Sequence, residues 1–140
     1  MLNLIDNVYE SNKAISNGNT DICDKKLYYK QVSIIKDLLR KIGIPVNLIG
    51  HEYIVEALIC MINSKKILFL KEAYAMVSKI KNTSELNVEA SIRNAIRKAL
   101  KKFEEKVKEI LNISDKVKIS NSVFLNIIKE FVFKEMIKND

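Results

Sequence analysis

From Tyr29 onward, apolar residues return every third or fourth position, the spacing of a helix that buries one face. Val32, Ile35, Leu38, Leu39 and Ile42 form one stripe, and Gly43 behind them is a natural stop. Ile44-Pro45 then breaks the chain, because proline lacks the N–H that continues a helix and disfavours helical backbone in its predecessor. A second helix is predicted at about 51–63 and a third at about 66–81, the latter with Ile67, Leu70, Ala73, Tyr74, Val77 and Ile80 inward. After the polar interruption Asn82-Thr83-Ser84-Glu85, Asn87 is placed to cap a fourth helix that runs to about Leu111. NISDKVKIS reads as a loop, and Ser120 or Asn121 caps a last helix ending near Ile137. No alternating stretch is long enough for a useful strand; Lys116-Val117-Lys118-Ile119 is the one short candidate. The pattern predicts an all-α, compact multi-helix domain over 29–140 with about five to six helices. Within it, a helix-turn-helix falls at about 66–107 and the C-terminal helix at about 121–137.

Residues 1–28 read differently. NKAISNGNTD is polar, and only Leu4, Ile5, Val8 and Tyr9 suggest a short amphipathic turn. The expectation is a partly ordered N-terminal arm. Packing of that arm on a neighbouring subunit is the alternative.

The fourth predicted helix has two unlike faces. Ile92, Ala95, Ile96, Ala99 and Phe103 make a narrow apolar stripe of mostly small residues. Within Val88–Lys102 the cations Arg93, Arg97, Lys98, Lys101 and Lys102 meet one acid, Glu89. A helix that merely faces water usually mixes both signs for pairing across one turn. A helix ending near Lys81, a short polar turn and a basic amphipathic helix is the arrangement of a helix-turn-helix reader. The apolar stripe would dock the second helix while its opposite face enters a major groove. Arginine matches guanine O6 and N7, asparagine matches adenine N6 and N7, and lysine neutralises phosphate. Asn94, Arg97 and Lys98 are the leading candidates for base or phosphate contact. Arg93, Lys101, Lys102 and Ser91 follow, as phosphate contacts. On pattern alone a solvated face explains the same residues.

Composition narrows the classes. A chain of 140 residues, 48% hydrophobic, is long enough for one folded domain with a real core. Its net charge of +7 favours an anionic partner such as double-stranded DNA. The longest uninterrupted apolar run, Ala57–Ile62, is far too short to span a bilayer, so no membrane role is expected and a cytoplasmic location is. Cys23 and Cys60 form no CxxC pair and read as reduced thiols, Cys60 as a small buried apolar residue. His51 is the single histidine, without a ligand or triad partner, and is expected at the surface or in a capping role. Glu52 and Glu56 read as helix-start charges favoured by the dipole. There is no Gly-rich phosphate loop, zinc spacing or nucleophile–base set, so no enzyme, metal or cofactor is expected.

Three blocks, in order over about Val32–Phe131, resemble a known family. IGIPVNLIGHEYIVEAL (Ile42–Leu58) is similar to the family's Ile-Gly-Val-Pro segment and the helix with Tyr-x-x-x-Glu-Ala, matched by Tyr53, Glu56 and Ala57. SIRNAIRKAL (Ser91–Leu100) resembles its recognition helix, and KISNSVFLNII (Lys118–Ile128) the start of its last helix. The family is the DNA-binding effector domain of the stage-zero sporulation response regulator. The resemblance implies a helical effector fold and duplex DNA binding. Two departures accompany it. The family's receiver domain has no room in the 28 residues before Tyr29, so action without a phospho-acceptor is expected. The family's Arg-x-Glu-Arg becomes Ser91-x-Arg93-Asn94, so the family's DNA box is not carried over.

The last helix carries apolar residues on more than one face, which demands burial in the core or against a second subunit. The resemblance implies pairing on tandem DNA sites, with Phe124, Ile128 and Phe131 as the dimerisation residues. The reading is a sequence-specific DNA-binding transcription regulator, with a homodimer on tandem sites as an expected assembly. The alternative is an interaction protein that pairs with a full-length regulator through its last helix and antagonises it.

Overall fold

The structure, a computed structural model, describes residues 22–138. Of the arm expected over 1–28, residues 1–21 with the amphipathic turn lie outside the described residues, and residues 22–28 are helical. Five helices and no strand occur among the described residues: α1 Ile22–Ile42, α2 Ile49–Asn63, α3 Leu70–Lys81, α4 Glu85–Ile110 and α5 Asn121–Lys138.

Three of these helices end in the same way. Gly43 adopts a positive φ of 95°, its N–H bonds to the Arg40 carbonyl at 3.1 Å, and the Ile44 N–H reaches back to Leu39 at 3.0 Å. Asn82 and Asn112 repeat this left-handed stop after α3 and α4, with φ of 52° and 55°. There the returning bonds run from Thr83 to Ser78 at 2.9 Å and from Ile113 to Lys108 at 2.8 Å. Glycine and asparagine tolerate that backbone at least cost, and the paired bonds satisfy carbonyls that a helix end leaves open.

Helix starts depart further from the reading of the sequence. α1 begins before Tyr29, and Tyr28 is already buried. α3 begins at Leu70 rather than near Lys66, so Ile67, expected inward, is 83% exposed. The cause is local: the Lys66 N–H turns to Ser64 Oγ at 3.3 Å, and Glu72 Oε1 accepts the Phe69 N–H at 3.2 Å, fixing the first turn after Phe69. α4 is capped by Ser84, whose Oγ accepts the Asn87 N–H at 3.0 Å. Asn87 is therefore the third residue of the helix and not its cap; its side chain donates to Thr83 Oγ1 at 2.8 Å. Ser120 caps α5, accepting from the Val123 N–H at 3.2 Å.

α2 is the centre of the fold and packs against each of the other four helices. Its sequence IGHEYIVEALICMIN is apolar nearly all round, which is how a helix enclosed on every side reads. α2 and α4 approach closely because Gly50 has no side chain. A Cβ there would stand 2.1 Å from the Ser91 carbonyl oxygen and 2.8 Å from Ala95 Cβ. The small residues of α4 thus meet a glycine, and two helix backbones come close to van der Waals contact. Further along, α4 leaves helical dihedrals at Phe103 (φ −140°, ψ 36°), whose ring lies against Gly43.

α5 resolves its surplus of apolar residues mainly inward. Phe124, Leu125, Ile128 and Val132 follow helical spacing and are buried against α1, α2 and α4. Of the three residues expected to pair two subunits, Phe124 at 1% and Ile128 at 0% exposure lie in the core of the chain itself. Phe131 is partly buried, and Phe133 and Ile137 are exposed.

Candidate nucleic-acid interface

α3, the three-residue turn Asn82-Thr83-Ser84 and α4 make a helix-turn-helix. The inner face of α4 is sealed: Val88, Ile92, Ala95, Ile96 and Ala99 are all buried. Fully burying an aliphatic side chain contributes roughly 1.5–3 kcal/mol, so Val88, Ile92 and Ile96 alone hold this helix firmly on its support.

The outer face is open. Asn94, Arg97, Lys98, Lys101 and Lys102 are exposed, and among the described residues none of these four cations has an ion-pair partner. At 3.6 residues per turn, Asn94, Arg97 and Lys101 lie opposite the buried stripe. Lys98 flanks them on one shoulder and Arg93 on the other. Lys102 lies further round towards the core side. Arg93 is exposed but tied across one turn to Glu89. Such a surface pair is worth only about 0.3–0.5 kcal/mol, little enough for a phosphate to displace. Ser91 is the outlier among the residues singled out from the sequence. It is half-buried, its backbone carbonyl faces Gly50, and it belongs to the helix contact as much as to the open face.

Behind this face lie groups that sequence reasoning missed or misplaced. Glu56 is fully buried in α2, and Lys81 Nζ at the end of α3 stands 2.8 Å from its Oε1. The same ammonium is 3.4 Å from Glu52 Oε1. Burial pushes the Glu56 carboxyl up to about 7, against the pull of Lys81. Burial draws Lys81 down, but the two carboxylates outweigh it and leave the ammonium above its ordinary value. The pair ties α2 to the last turn of α3, just before α4. The two glutamates are thus not merely first-turn charges, and a lone acid inside the apolar run of α2 was the signal of a buried partner. His51 is also buried, correcting its expected surface position. Burial, followed by the nearby charge of Lys36, lowers its pKa. Burial and the neighbouring Glu56 push the Cys60 thiol up to about 12, so it behaves as an inert core residue.

Asn121, at the start of α5, completes the frame. Its Nδ2 donates to Tyr74 Oη of α3 at 3.0 Å and to the Glu89 carbonyl of α4 at 3.1 Å.

Among the described residues no group of three His, Cys, Asp or Glu is placed to hold a metal ion, and no helix is long and apolar enough to cross a membrane. An open cationic face on a rigidly backed helix can lie along a polyanion, and its width suits a groove of about 12 Å. No solved structure matches the chain. Residues 35–132 match the family described as sporulation initiation factor Spo0A C terminal, a DNA-binding effector domain. That span takes in α2, α3 and α4 whole and reaches Val132 in α5, the last residue of its buried stripe. The chain belongs to the sporulation initiation factor Spo0A C-terminal family of DNA-binding domains.

Proposed function

We propose that this chain is a sequence-specific, double-stranded DNA-binding transcription regulator that reads the major groove with α4. The observation that supports this most is the asymmetry of that helix. Its aliphatic face is buried, while Arg97, Lys98, Lys101 and Lys102 stand exposed with no ion-pair partner among the described residues. Arg97 and Asn94 are the base-reading candidates, having the donor patterns that fit guanine and adenine edges. Lys98, Lys101, Lys102 and Arg93 hold phosphates and set the register. In this reading α4 and the frame behind it bind DNA without phosphorylation. Two copies on adjacent sites would meet through the exposed end of α5, near Phe133 and Ile137, and not through Phe124 and Ile128.

The test is affinity for duplexes selected from a random library, measured against salt. Neutralising several phosphates makes log K fall with log salt at a slope of about −0.9 per contact. A slope near zero, or no binding at low salt, contradicts a DNA role. On the selected duplex, Arg97→Ala lowers the preference over a scrambled one, by about 1–3 kcal/mol if it reads a base edge. Lys102→Ala weakens both duplexes alike. Uniform loss in both variants would remove Arg97 from the base edges.

A further inference from the structure

A helix-turn-helix specifies sequence only if the angle between its two helices is held, since a small rotation of the second helix lifts its side chains away from base edges. The apolar stripe of α4 resists separation but not sliding or rotation, because aliphatic contacts have no direction. Hydrogen bonds do have direction. Among the described residues, the Asn121 amide is a polar contact from outside the motif that touches both of its helices, bonded to Tyr74 Oη at 3.0 Å and the Glu89 carbonyl at 3.1 Å. Tyr74 is itself buried, so its hydroxyl is a fixed point. Glu89 lies one turn before Arg93 and two before Arg97, where a rotation of the helix start is carried into the reading residues. Ser120 holds the Asn121 backbone in the first turn of α5 through the Val123 N–H, and α5 is anchored by Phe124 and Leu125 in the core. The chain from core to reading helix is therefore continuous.

We infer that Asn121 is a positioning residue for sequence discrimination: one amide, fixed by the last helix, locks the orientation of the reading helix against its partner. This rests on the DNA reading above, and its consequence differs from that of a contact residue. Removing it should weaken binding to the selected duplex while leaving the cationic face, and so the salt-dependent affinity for an unselected duplex, in place.

Asn121→Ala, Asn121→Asp and Tyr74→Phe separate the possibilities. Asp keeps the shape and loses the donating NH₂; Phe keeps the ring and removes one of the two acceptors. Each variant is first compared with wild type in amide NMR spectra without DNA. Shifts are expected to concentrate in α3 and the first three turns of α4 for both Asn121 variants. Affinities for the selected and the scrambled duplex are then measured below the melting temperature of each variant. The expected result is a loss of selectivity of about fivefold to tenfold for both Asn121 variants, the scale of one or two net hydrogen bonds, and a smaller loss for Tyr74→Phe. In the charge-neutral variants Asn121→Ala and Tyr74→Phe, scrambled-duplex affinity and its salt slope stay at the wild-type value. Wild-type selectivity in Asn121→Asp, or equal losses on both duplexes, overturns the inference. Absence of duplex binding by the wild-type chain instead overturns the DNA reading, and the amide shifts then report the latch as purely structural.

Discussion

α2 and α4 each touch all the other helices, yet one is enclosed and the other is half bare. In α2, charge enters the interior: Glu56 is buried with the Lys81 ammonium of α3 beside it, and His51 is pressed toward its neutral form. In α4, polar groups on the open face are left to water, and Arg97, Lys98 and Lys101 have no ion-pair partner among the described residues. The difference separates two uses of charge. A buried pair fixes helices relative to one another at a cost in desolvation. An uncompensated exposed row leaves a field that a polyanion can meet. Under the proposed function the fold needs both, since a surface that reads sequence is only as specific as the frame behind it is stiff.

The largest blow to that frame falls where α2 meets α4. In an ordinary helix interior, Gly→Ala stabilises by about 1 kcal/mol. Gly50→Ala is expected to do the reverse, because its methyl would sit 2.1 Å from backbone that cannot swing away. A loss of about 3 kcal/mol or failure to fold, read by urea unfolding, is the expected outcome. A stabilised Gly50→Ala would mean the two helices are not in contact there.

The next effect sets the two faces of α4 against each other. Ile92→Ala removes a fully buried side chain and should cost roughly 2–5 kcal/mol. Arg97→Ala should change stability by no more than about 0.5 kcal/mol. Substantial destabilisation by Arg97→Ala would make the open face structural.

The buried acid of α2 gives a smaller, pH-dependent effect. Folding raises the Glu56 pKa from 4.5 to about 7, so the folded chain holds this proton more tightly than the unfolded one. The stability it contributes is present below 4.5 and is lost as pH rises through about 7. His51, with a lowered pKa, acts in the opposite sense: its contribution is present above 6.5 and lost as pH falls through its folded value. Comparison of wild type with Glu56→Gln isolates the acid. The stability of the wild type relative to the variant should decline as pH rises between about 4.5 and about 7, by thermal melting. A difference that does not change with pH would show that Glu56 is already ionised throughout.

Much of this division was visible in the chain itself. The all-helical class, the stop at Gly43, the loop after α4 and the split of α4 into two faces all follow from local spacing, which periodicity reports directly. What stayed hidden depends on partners distant in sequence. Asn121 meets Tyr74 forty-seven positions away, and no local pattern joins them. Lys81 reaches Glu56 across the α2–α3 connection. Phe124 and Ile128 looked like interface residues because an apolar helix face says that it must be covered, not by what. The cap of α4 moved from Asn87 to Ser84 because both are good capping residues and the choice is made by geometry.

The open face of α4 can be tested against the rest of the surface in one amide NMR titration with duplex DNA at low salt. The account predicts that the strongest perturbations fall on Asn94, Arg97, Lys98 and Lys101, with the enclosed helix α2 nearly silent. Perturbations centred on the exposed end of α5 around Phe133 and Ile137, with α4 unmoved, would contradict it.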